Sequence, residues 1–107
     1  MILKGLTASQ GIYEGKAKII KSVEDMEKIE QGDVMVVHTS SPAYATGLFK
    51  AGAVVSENGG TLFHLAILAR EIGIPCVTGI ENATTIIKSG DMVKVCGMEE
   101  GEVYVGE

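Results

Sequence analysis

His64 follows the glycine pair Gly59-Gly60 at the mouth of an apolar stretch, in "ENGGTLFHLAILAREIGIPCVTG" (57–79). Imidazole is neutral for a good part of the time near pH 7, and as a nucleophile it can attack phosphorus. The phosphohistidine so formed is dianionic and needs N–H donors. A helix start gathers unpaired N–H groups and a partial positive charge, and glycines let the backbone approach closely. The pattern therefore suits a phosphoryl group carried on His64, with Asn58, Gly59, Gly60 and Thr61 as its polar support. The plainer reading is a helix-capping or partly buried histidine with ordinary hydrogen bonds, and the residues alone leave both open.

Arg70 invites assignment as a phosphate clamp, but helix geometry argues against it. Six residues on from His64, it lies about 9 Å along the axis and roughly 120° around. A salt bridge or a partner contact suits it better. Leu65, Ile67, Leu68 and Ile72 read as core, and Cys76 after Pro75 as a small buried hydrophobe. His38 follows the run "DVMVV" at a strand end, and reads as a structural or surface histidine.

The elements that must position these residues are short and punctuated by glycine. Strands are expected over 15–21, 33–39, 53–56 and 75–79, with a closing pair in "DMVKV" and "EVYV". Helical segments are expected over 23–32, 40–52, 61–71 and 82–90. Strand and helix alternate from 33 to 90, the pattern of βα units around a parallel sheet. The first segment and the last two look like antiparallel additions.

The chain has 107 residues, 46% hydrophobic and 21% charged, which suits one ordered domain over 1–107. Aromatics make up 5% with no Trp, so Val, Ile, Leu, Ala and Met must build the core. The formal net charge of -5 argues against a nucleic-acid partner. Cys76 and Cys96, each in an apolar run, read as reduced thiols. No stretch suits a signal peptide or a membrane span, so the expectation is a cytoplasmic protein without a membrane partner. The two common glycine-rich nucleotide loops, paired zinc-ligand spacings and a G-x-S-x-G elbow do not occur. The domain is thus expected to bind no cofactor and no metal, and to perform one step of something larger.

The segment "GG-x-x-x-H-x-A-I-x-A-R-E-x-G-I-P-x-V-x-G" closely resembles the phosphohistidine signature of the mobile, swivelling domain of phosphoenolpyruvate-utilising enzymes. The likeness extends through "ASQGIYEGKAKII", "GDVMVVHTSSP" and "SGDMVKVCGMEEGEVYV", and so covers nearly the whole chain. It implies an α/β fold, a three-layer β/β/α swivelling domain with a mostly parallel central sheet and an additional antiparallel sheet. It also implies that His64 relays a phosphoryl group between partner sites. One partner would be an ATP-grasp-type nucleotide domain, and another a barrel handling phosphoenolpyruvate and pyruvate. Mg²⁺ and ATP or phosphoenolpyruvate would be held there, on other domains or subunits. Because the chain begins with Met1 at the family's domain start, both a separate carrier subunit and a part of a longer enzyme fit. Phe63 stands where the family usually has Ser or Cys, Leu62 where Thr is frequent, and Ala43 where an acidic residue commonly follows the loop proline. These departures frame the alternative, a degenerate mobile domain kept as a non-catalytic binding or regulatory module.

Overall fold

The run Val34-Met35-Val36-Val37 is apolar at every position, and it forms a strand buried on both faces. Such a run fits only where side chains are covered from two directions. A computed structural model of the chain describes residues 1–38, 42–58 and 64–106, and of Pro42 only the backbone. The strands are β1 (Ile2–Ser9), β2 (Gly11–Ile20), β3 (Val34–Val37), β4 (Ala53–Ser56), β5 (Cys76–Thr78), β6 (Met92–Gly97) and β7 (Gly101–Val105). The α-helices are α1 (His64–Ile72) and α2 (Ala83–Ile86), and Val23–Lys28 and Pro42–Phe49 are 3₁₀ segments. No helix among the described residues is long and apolar enough to cross a membrane.

The strands close into one seven-stranded mixed barrel in the order β1-β5-β4-β3-β2-β6-β7. This corrects the expected three-layer β/β/α arrangement, in which a mostly parallel central sheet and a separate antiparallel sheet stand apart. The physical reason lies in the two long strands, which change partner along their length. In β2, Gly11–Lys16 pair antiparallel with β6 and Ala17–Ile20 pair parallel with β3. In β1, Ile2–Gly5 pair with β7, and Leu6–Ser9 pair with β5 across a register shift. What reads in sequence as antiparallel additions is therefore the other half of the same closed ring.

Crossing from one partner to the next brings backbones close together at Gly5. A Cβ there would stand 2.2 Å from the Thr78 carbonyl oxygen, and the residue paired with Gly5 in β7 is Gly101. Glycine marks such corners because any side chain would collide.

Alternation along the strands sorts the apolar residues into two clusters. Val34, Val36, Val55, Val77, Val93, Val95 and Val103 fill the barrel interior with Ile80, Ala83 and Ile87. Met35, Val37, Val54 and Cys76 point outward and meet Leu65, Ala66 and Ala69 of α1, with Ile29 and Leu48. This second layer fixes α1 to the barrel wall.

Two helices stop earlier than the sequence suggests. The segment expected over 23–32 ends at Lys28, because Ile29 turns extended and inserts into the core. The segment expected over 82–90 is the single turn of α2, because Ile87 likewise turns extended and is fully buried. Strand β1 was not foreseen at all. Its outward residues Ile2 and Leu6 are apolar yet 51% and 59% exposed, which hides the usual alternation.

Candidate functional site

The three parallel strands β3, β4 and β5 end on one edge of the barrel, and α1 starts there because it follows β4 in a crossover. Carboxyl ends of parallel strands are where α/β proteins gather function. His64 is the first residue of α1 and is exposed. Leu65, Ala66 and Ala69 are buried on the helix's inner face, so the helix is anchored while the imidazole stays accessible. His64 lies in the first described turn of α1, toward the end at which a helix dipole is positive.

On the same strand-end edge, two loop entries are tied together. The Glu57 and Asn58 N–H groups donate to the carbonyls of Val37 (3.0 Å) and His38 (2.9 Å), so β3 and β4 stay paired beyond their strands. The His38 Nδ1 lies 2.8 Å from Glu57 Oε1. The other carboxylate oxygen, Oε2, accepts from the Thr84 N–H at 2.7 Å and from the Thr84 hydroxyl. Asn58 Nδ2 lies 3.4 Å from His38 Nε2, and the Ser56 hydroxyl donates to the Asn58 carbonyl at 2.5 Å. At the end of β5 the buried Thr78 hydroxyl has no hydrogen-bond partner among the described residues.

The Glu57 side chain is only 13% exposed. Burial works against its charged form, but the bonds from the Thr84 hydroxyl, His38 and the Thr84 N–H outweigh it and hold its pKa below the usual 4.5. Burial raises the Cys76 thiol to about 12, which keeps it protonated and inert. Cys76 is thus the small buried hydrophobe expected, and both cysteines are free.

Of the sequence-predicted site, the structure brings His64 and Asn58 to the same edge. Gly59, Gly60 and Thr61 lie outside the described residues, as do Leu62 and Phe63. Arg70 turns away from this edge, and its Nη1 donates to the Ala8 carbonyl at 2.5 Å, tying α1 to β1. An open groove of about 730 Å³ beside it, lined by Thr7, Ser9, Gln10, Arg70, Met98 and Glu99, belongs to the far end of α1. No group of three or more His, Cys, Asp or Glu able to hold a metal occurs among the described residues. Sequence reasoning missed Glu57 and Thr84, and gave His38 no partner. The available signal was position, since His38 and Glu57 each directly follow a buried parallel strand.

Comparison with known proteins places this edge in context. The chain is 41% identical over 106 residues to the phosphoenolpyruvate synthase of Pyrococcus furiosus, covering 99% of this chain and 13% of that protein. It is 40% identical over 95 residues to the rifampicin phosphotransferase of Bacillus cereus, covering 89% of this chain and 11% of that protein. The chain spans about one seventh of the length of the curated relatives it matches, between 11% and 16%. The solution structure of an Enzyme I protein superposes with a TM-score of 0.78 at 18% identity, covering 97% of this chain and 92% of that one, and so shares the fold. The family described as "PEP-utilising enzyme, mobile domain" matches residues 29–100, and the chain belongs to that family.

Proposed function

We propose that this chain is a phosphohistidine carrier domain that relays a phosphoryl group on His64 between a donor site and an acceptor site. The observation that carries the reading is the exposed imidazole at the first residue of α1, on the polar edge of a domain of this family. In the first step an imidazole nitrogen of neutral His64 attacks the donor phosphorus in line. The N–P bond forms as the bond from phosphorus to the donor oxygen breaks, and the donor leaves with its electron pair. In the second step the acceptor oxygen attacks the same phosphorus, and the electron pair of the N–P bond returns to His64.

In this reading the donor and acceptor sites belong to other domains or subunits. One is a nucleotide-binding domain of the ATP-grasp type, and another a barrel for phosphoenolpyruvate and pyruvate. Mg²⁺ and ATP or phosphoenolpyruvate are held at those sites, because phosphoryl transfer needs charge neutralised at the donor. One relative is named for phosphoenolpyruvate synthesis and another for rifampicin phosphotransfer. The acceptor is therefore chosen by the partner and not by the carrier.

The test is transfer in trans. The Pyrococcus furiosus relative, deleted of its matching segment, is incubated with this chain and with ATP or phosphoenolpyruvate. Intact mass should show one added phosphoryl group, labile in acid and stable in base, absent from His64→Ala. Wild type that takes up no phosphoryl group, or a label that persists in His64→Ala, would overturn the reading.

A further inference from the structure

We propose that His38 is a positioning residue, held through Nδ1 by Glu57 and acting through Nε2 on the Asn58 amide, which it orients beside the phosphoryl group on His64. The inference rests on the carrier reading above. Its observations are the contacts of His38 with Glu57 at 2.8 Å and with Asn58 at 3.4 Å.

Donor and acceptor roles fix the order of this chain. A carboxylate only accepts, so Glu57 Oε1 takes the hydrogen of His38 Nδ1. With its hydrogen on Nδ1, the His38 ring carries its lone pair on Nε2, which can accept only from the Asn58 NH₂ group. One amide hydrogen of Asn58 is engaged in this way, and the other remains to be given to a phosphoryl oxygen. Thr84 supplies the fixed end, because its N–H and hydroxyl both bind the far oxygen of Glu57.

The burial pattern separates this role from simple packing. The His38 side chain is 64% exposed, so its removal empties no core space and costs little, because water can take over an exposed polar contact. The Glu57 it leans on is nearly covered, and an imidazole bound to a covered carboxylate has a defined tautomer. Asn58 directly precedes residues 59–63, which lead to His64, while burial of Leu65, Ala66 and Ala69 fixes the helix beyond.

The experiment measures the rate at which His64 is loaded, using the Pyrococcus furiosus partner described above. The proteins are wild type, His38→Ala, Asn58→Ala and the double variant. Each single change should slow loading about three- to tenfold, the factor carried by one ordinary hydrogen bond. Because His38 acts through Asn58, the double variant should be no slower than Asn58→Ala alone. Nitrogen-15 NMR of the wild type should place the His38 hydrogen on Nδ1, and Glu57→Gln should abolish that preference. Loading of His38→Ala at the wild-type rate, effects that multiply in the double variant, or a hydrogen on Nε2 in wild type would each overturn the inference. If wild type itself takes up no phosphoryl group, the carrier reading has failed and this inference falls with it. If wild type loads and the variants match it, only the role of His38 is wrong.

Discussion

Replacing Glu57 by Gln should destabilise the domain at neutral pH and leave it nearly unaffected in acid. The native carboxylate accepts from the Thr84 N–H, the Thr84 hydroxyl and His38 Nδ1. Hydrogen bonds to a charged acceptor are worth about 1.5–3 kcal/mol each, against about 0.5–1.5 for neutral pairs. Gln keeps an oxygen for Thr84, so two bonds weaken by about 1 kcal/mol each. The exposed His38 contact adds little more. A loss of about 2 kcal/mol should move the urea midpoint down by about 1 M. The pH dependence follows from the sign of the shift. The folded pKa of Glu57 lies below its usual 4.5, so its stabilisation is complete above that value and disappears as pH falls through the folded pKa. Urea titrations of wild type and Glu57→Gln from pH 7 to pH 3 should therefore show a constant gap that closes in acid. Asp25 is also held below its ordinary value, first by the Lys21 N–H, but it titrates in both proteins and cancels in the difference. Curves that stay parallel to the lowest pH, or a gap that widens in acid, would refute the reasoning.

Two further outcomes test the barrel. Gly5→Ala places a carbon 2.2 Å from the Thr78 carbonyl oxygen, so it should cost about 3 kcal/mol in urea unfolding, and unchanged stability would remove the corner from the account. A maleimide at pH 7 should label half-buried Cys96 and spare Cys76 until the chain is unfolded, as read by intact mass, because burial pushes the Cys76 thiol up to about 12.

Local signals were legible where a residue's neighbours in sequence are also its neighbours in space. The β-branched run Val34–Val37 declared a doubly buried strand, and β4 occupies 53–56 as its composition indicates. The helix expected over 61–71 is α1, whose described residues are His64–Ile72. Closure of the barrel was not legible, because it depends on β1 and β2 each serving two partners, and no local pattern announces a strand that changes allegiance midway. The helix ends were misjudged for a related reason. Ile29 and Ile87 continue a helical pattern in sequence, but burial draws each into an extended conformation. Glu57 was overlooked because its partners, His38 and Thr84, lie 19 and 27 residues away.

A phosphoryl carrier has to satisfy two demands that pull against each other. Its nucleophile must be accessible enough to enter a donor site and then an acceptor site. It must also be held firmly enough that little orientational freedom is lost when it docks. In this domain the two demands fall on different faces of one helix. The inner face of α1 is fixed by Leu65, Ala66 and Ala69 against Met35, Val37 and Val54, while His64 at its first residue stays exposed. The barrel makes that fixing effective, since a closed ring has no free edge along which β4 or β5 could slip relative to β3. A module that only binds a partner needs a complementary surface, and it has no use for a rigidly mounted, accessible imidazole. Nor does it need a covered carboxylate such as Glu57, whose burial is costly unless three hydrogen bonds hold it. These polar features converge on the strand-end edge where α1 begins. That convergence favours the carrier over the module, and it does so from the geometry of the edge and not from likeness of fold, which many unrelated functions can share.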